Sequence, residues 1–101
     1  MDRYAELPLD LLLPPEIPMR ETMDPAAFAE LVADIRANGV DQPITVTPEG
    51  QAYRTVAGER RRLAAIAAAL LTVPCRIRDL TQLRKLTMTI RETLQREDPP
   101  P

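Results

Sequence analysis

The run Gly58-Glu59-Arg60-Arg61-Arg62-Leu63-Ala64 concentrates the chain's clearest chemical potential, because three consecutive arginines fall on the opening turn of a predicted helix. A helix start carries the positive end of the macrodipole and N–H groups without intrahelical partners. An exposed cation there costs about 0.3–1 kcal/mol, and a bound anion reverses the sign. The preceding Tyr53-Arg54-Thr55-Val56-Ala57 reads as a strand, and Gly58 supplies a tight turn from strand to helix. Strand, glycine, arginines and helix in that order make a phosphate site. The bland alternative is a solvated helix start, with Glu59 offsetting part of the charge and the arginine stems lying over apolar neighbours. Arginine is also the default cation of this chain, which has twelve and only Lys85 besides.

Other chemistries are excluded by what the chain lacks. It contains no His and no Ser, so a catalytic triad, imidazole acid–base work and a Cys–His pair are ruled out. Cys75 is the one cysteine, which excludes an internal disulfide and a cysteine-rich zinc site. With 13 basic against 15 acidic residues the net charge is −2, so anion affinity must be local rather than global. No apolar run is long enough for a membrane span or a secretory signal, and the expectation is a cytoplasmic protein with no membrane partner.

The elements that position the arginine turn are legible at several points. At 101 residues the chain has room for one small core. That core is aliphatic, since the aromatics are only Tyr4, Phe28 and Tyr53. Glu6–Leu13 reads as a first strand, stopped by Pro14-Pro15. Asp24 is placed as N-cap and Pro25 as first helical residue of a helix with Phe28, Leu31, Val32 and Ile35 on its buried side, closed by Gly39. Strands follow at 43–47 and 52–57, joined through 48–51. The second helix is expected to bury Leu63, Ile66, Ala67 and Leu70. A strand at 73–78 puts Cys75 and Ile77 on one face and Arg76 and Arg78 on the other. Asp79 and Gln82 resemble a capping box for a third helix reaching about Arg96, with Leu83, Leu86, Ile90 and Leu94 on one side. Residues 1–98 are therefore one domain, and the prolines at 99–101 begin a linker or tail.

Two ordered motifs resemble those of the ParB partition-protein family. Gly58-Glu59-Arg60-Arg61-Arg62-Leu63-Ala64 is similar to its G-E-R-R-x-x-A element, and Glu92-Thr93-Leu94-Gln95-Arg96 to its E-N-x-Q-R element. Asn38-Gly39-Val40, Gln42-Pro43-Ile44, Val73-Pro74 and Arg78-Asp79-Leu80 also look like family sequence. The resemblance runs from about Leu7 to Asp98. It implies an α/β (α+β) ParB/sulfiredoxin-like domain, with a small mixed sheet of about four strands and three main helices. It also implies a switch module of DNA partition, or of a related plasmid or phage system, that binds CTP with Mg2+.

By the same resemblance Gly58, Glu59, Arg60, Arg61, Gln95 and Arg96 hold the nucleotide phosphates, Arg20 covers them, and Glu92 and Thr93 face the metal. The family carries Asn where this chain has Thr93, a shorter oxygen ligand. Taken without the resemblance, Glu92 and Arg96 form a surface i,i+4 pair worth about 0.2–0.5 kcal/mol. Three functions stay open: the nucleotide switch, with slow CTP hydrolysis as its enzymatic form; a degenerate domain acting through protein contacts alone; and a nuclease. The last needs clustered carboxylates, which the sequence does not supply beside Glu92 unless Glu59 or Asp98 folds toward it. A sulfinic-acid reductase is disfavoured, because the sulfiredoxin cysteine belongs in the glycine turn, where this chain has Glu59. Self-association is expected, and DNA is read through a helix-turn-helix domain absent from these residues or through a partner.

The isolated chain, with its acidic balance, is therefore expected to bind duplex DNA only weakly. Fluorescence anisotropy on several unrelated duplexes should give micromolar or weaker affinity that vanishes by physiological salt. Tight, sequence-selective binding would instead make Arg54, Arg76 and Arg78 a DNA-reading face.

Overall fold

The computed structural model describes residues 2–17, 24–79 and 90. Five strands form one mixed sheet in the order β1-β5-β3-β4-β2, where β1 is Arg3–Pro8, β2 Leu12–Leu13, β3 Ile44–Glu49, β4 Ala52–Ala57 and β5 Thr72–Ile77. Helix α1 spans Pro25–Asn38 and α2 spans Glu59–Ala67. Strand pairing is antiparallel for β1/β5 and β3/β4 and parallel for β5/β3 and β4/β2. The mixed α+β architecture matches the sequence reading. The counts differ: five strands rather than four, and two helices spanning described residues, the expected third helix lying outside them except for Ile90, which is helical.

The extra strand comes from the N-terminal segment. Where one strand was expected over 6–13, the chain pairs with β5 through Pro8, turns through a 3₁₀ segment at Leu9–Leu11, and joins β4 at Leu12 and Leu13. The Leu9 N–H donates to the Leu71 carbonyl at 3.0 Å as it leaves β1. This connection constrains the whole sheet. Four strand spacings of roughly 4.8 Å would put the outer strands about 19 Å apart in a flat sheet, yet four residues reach at most about 14 Å. The sheet must curl until its two edges approach.

One face of the curled sheet carries the core. Leu7, Leu12, Ile44, Val46, Val73, Cys75 and Ile77 are buried in a single cluster with Ile35 of α1 and Ala64, Ala65 and Ala68 of α2 and its end. Helix α1 follows its sequence signals closely. Asp24 accepts from the Ala27 N–H at 3.4 Å, Pro25 occupies the first turn, and Gly39 at φ 76° donates its N–H to the Ile35 carbonyl at 2.8 Å. Phe28, Leu31 and Val32 pack on the core beside Ile35.

Helix α2 is rotated from its expected phase. Ala64 and Ala65 are fully buried, Leu63 and Leu70 are half-buried, Ile66 is 49% exposed and Ala67 is exposed. The alanine face lets the helix backbone lie close to the sheet, and a bulkier face would hold it away. Arg36 of α1 then donates to the Ala67 carbonyl at 3.3 Å, placing a cation at the negative end of α2.

Strand β3 also runs further than expected, to Glu49. Its pairing with β5 ends at Val46, so Pro48 sits where the strand has a neighbour only in β4. Gly50, at φ 62°, makes the turn into β4.

Cys75 is fully buried on the core face of β5, as the alternation predicts. Burial, helped by the nearby Glu6 carboxylate, pushes its thiol from the ordinary 9.0 up to about 11. The fold thus favours the neutral thiol. Its contribution to stability is intact below pH 9 and is lost as pH rises through about 11. Denaturation of wild type and Cys75→Val should show a wild-type stability that falls more steeply across that window. A thiol reagent at pH 8 should label Cys75 only at the rate of unfolding.

Candidate functional site

The site is built where β4 hands the chain to α2. Gly58 lies at φ 102°, ψ 25°, a left-handed conformation that side chains with a Cβ adopt only under strain. A Cβ at this position would also sit 3.4 Å from Cα, Cγ1 and Cγ2 of Ile44, the first residue of β3. The turn therefore brings the start of α2 against the start of β3. The Gly58 carbonyl accepts the Arg62 N–H at 3.0 Å, so α2 begins directly from the turn, with the N–H groups of its first residues directed away from the helix body.

The three arginines of the first helical turn have three different surroundings. Arg62 is buried, 8% exposed, and its guanidinium forks onto Glu59, with Nε to Oε1 at 2.5 Å and Nη2 to Oε2 at 3.0 Å. Arg61 donates through Nη2 to the side-chain carbonyl Oε1 of Gln42, just ahead of β3. Arg60 is exposed. The expected arginine turn is thus present, with a division of labour that spacing alone does not show. Arg62 and Glu59 are a pair internal to the fold, whereas Arg60 is exposed and the half-buried Arg61 is tied to Gln42.

That pairing bears on Glu59. Both of its carboxylate oxygens are engaged by Arg62, so its side chain serves the turn, and its contribution to an anion site is its N–H at the helix start. The same engagement takes Glu59 away from any cluster of metal-binding carboxylates. Among the described residues no group of three His, Cys, Asp or Glu side chains converges on a metal position. Arg20, Glu92, Thr93, Gln95 and Arg96 lie outside the described residues.

The strand arginines considered for a DNA face are engaged as well. Arg54 donates to Glu49 at 2.6 Å and to the Pro14 carbonyl at 2.8 Å. Arg76 and Arg78 share Asp2, with Arg76 Nε to Oδ2 at 2.8 Å and Arg78 Nε to Oδ1 at 3.3 Å. The Arg76 hydrogen bond holds the Asp2 carboxyl below its ordinary range, so Asp2 stays ionised and opposes these two cations at neutral pH.

A curled mixed sheet, two helices on its core face and a glycine–arginine turn define a ParB/sulfiredoxin-like domain. The model of the ParB N-terminal domain matches residues 1–94, and the chain belongs to that family. Among curated relatives, "Probable chromosome-partitioning protein ParB" of Coxiella burnetii is 43% identical over 92% of this chain and 32% of its own length. The chain thus spans about a third of the length of that relative. The C-terminally truncated chromosome-partitioning protein ParB of Caulobacter crescentus has been solved in two complexes. With CTP-gamma-S it is 38% identical, with a TM-score of 0.72 over 95% of this chain and 55% of that one. With the centromeric parS site it is 39% identical, with a TM-score of 0.68 over 93% and 50%. Sulfiredoxin from Arabidopsis thaliana has a TM-score of 0.66 and 30% identity over 82% of this chain and 94% of its own. Cys75, the one cysteine of the chain, is fully buried on β5 and lies away from the glycine turn.

Sequence reasoning placed Gly58, Glu59, Arg60 and Arg61 together, and the fold keeps them together. It did not assign Gln42, although the Gln42-Pro43-Ile44 triplet was visible as family sequence. Arg62→Ala should destabilise the domain by about 3 kcal/mol or more in denaturant titration, because it strands the Glu59 carboxylate in a part-buried position. An exposed solvated arginine would cost under about 0.5 kcal/mol, so the two roles are well separated.

Proposed function

We propose that this domain is the nucleotide-binding switch of a DNA-partition protein, taking the phosphates of cytidine triphosphate on the turn from Gly58 to Arg61. The observation that carries the reading is the placement of Arg60 and Arg61 in the first turn of α2, at its positive end, on a turn that glycine alone fits without strain. The likeness to a ParB solved with CTP-gamma-S supports cytidine as the base. The helix-start N–H groups supply directed donors, and the arginine forks supply charge-assisted contacts to phosphate oxygens.

Arg20, Gln95 and Arg96 complete the proposed phosphate contacts. Mg2+ enters the proposal through Glu92 and Thr93, and its part would be to neutralise phosphate charge. Among the described residues there is no metal cluster, and the proposed phosphate contacts there come from the arginine turn. In the whole protein we place the domain in the cytoplasm, self-associating, and meeting DNA through a reader domain or a partner. The likeness to a ParB complexed to parS supports that setting. Among the described residues no helix is long and apolar enough to cross a membrane.

Calorimetric titration of CTP, ATP, GTP and UTP, with and without Mg2+, tests the reading. CTP should bind best. Arg60→Ala and Arg61→Ala should each remove a charge-assisted contact worth about 1.5–3 kcal/mol, hence at least about a tenfold loss of affinity, with unfolding midpoints close to wild type. Equal binding by wild type and both variants, or no nucleotide binding by wild type, would refute the assignment.

A further inference from the structure

Gln42 is an exposed residue in the loop between α1 and β3, and its contact with Arg61 crosses from that loop to the first turn of α2. Two facts constrain the contact. Pro43 comes next in the chain, which disfavours helical backbone at Gln42 and so limits the directions its side chain can take. Ile44, one residue further, is fully buried and packed against the Gly58 turn, so the loop end and the helix start are held in register. A guanidinium has only donors, so the amide must offer Arg61 its carbonyl oxygen and turn its own N–H groups elsewhere.

The neighbouring arginine shows what the other choice of partner does. Arg62 is held by a carboxylate, and the pair is neutral, part-buried and internal to the fold. Arg61 is held by a neutral amide, which fixes the guanidinium but leaves its charge uncompensated by that partner. We infer that Gln42 is a positioning residue for the anion site: it aims Arg61 at the phosphates while preserving the positive charge that attracts them. The inference rests on the proposed nucleotide site and adds to it the reason for an amide at position 42. A carboxylate there would hold the guanidinium at least as well, and it would cancel the charge and repel the ligand.

The substitution that separates geometry from charge is Gln42→Glu, compared with Gln42→Ala in the full 101-residue chain. Titrations with CTP and with inorganic tripolyphosphate are read beside thermal unfolding of each variant. Gln42→Glu should unfold at or above the wild-type temperature and bind both ligands roughly tenfold more weakly or worse. That deficit should shrink as salt is raised, since ions screen the added charge. Gln42→Ala keeps the arginine's charge and loses only its aim, so its loss should be smaller, about two- to fivefold. A purely structural role would instead lower stability and affinity together, most in Gln42→Ala. Wild-type affinity in Gln42→Glu, or equal losses in the two variants, would overturn the inference while leaving the nucleotide site standing. Failure of the wild-type chain to bind either ligand would remove the nucleotide reading and this inference with it.

Discussion

The close approach of Gly58 to Ile44 is the constraint on which the site depends. Strand β3 lies at the centre of the sheet, and Ile44 at its start is fully buried. By touching Ile44 without a Cβ, Gly58 lets β4 end, reverse and begin α2 within one residue. Among the described residues, the polar groups of the site are hung from that junction. Glu59 and Arg62 fold back onto each other over the first turn, and Gln42, two residues before Ile44, falls within reach of Arg61. A larger residue at 58 would act on all of these contacts at once, through the backbone rather than through any one side chain.

Electrostatic sorting gives this small acidic domain a local cationic feature. Its arginines are numerous, but Arg54, Arg62, Arg76 and Arg78 each face a carboxylate in the structure. Those pairs have structural consequences. Arg54 ties the Pro14 carbonyl to the β3–β4 hairpin, and Asp2 fastens the N-terminal end of β1 to β5 and the residue after it. Arg61 differs in having an amide as its partner. A net charge of −2 is therefore compatible with the proposed phosphate-binding turn, since Arg61 is held by an amide rather than by a carboxylate.

Signals read from local chemistry were legible in the sequence, and those that depend on long-range geometry were not. Asp24, Pro25 and Gly39 delimited α1 because caps act within a turn of the residues that make them. The alternation in β5 placed Cys75 inward for the same local reason. The phase of α2 was misread because Leu63, Ile66 and Leu70 outweigh alanine on any hydrophobicity scale, whereas the packing rewards a small face. Strand β4 also depends on pairing that no local pattern contains. Pairing shifts between Thr45 and Val46, leaving Val56 in the bulge and 43% exposed, while Thr55 turns inward opposite Val46. The break between β1 and β2 likewise depends on sheet closure, which no window of eight residues contains.

The likeness to both ParB and sulfiredoxin shows how little of the function resides in the fold itself. In this chain the chemistry open to the glycine turn depends on the side chains that follow the glycine. A nucleophilic thiol there would need an accessible, cation-assisted environment. This chain instead puts its thiol in the core and a carboxylate after the glycine. That carboxylate is not itself suited to hold phosphate, since its charge has the wrong sign. By taking Arg62 inward it satisfies the cation nearest the core, which could not otherwise be buried. Position 59 thus serves the proposed anion site indirectly, by neutralising the arginine held inside the fold.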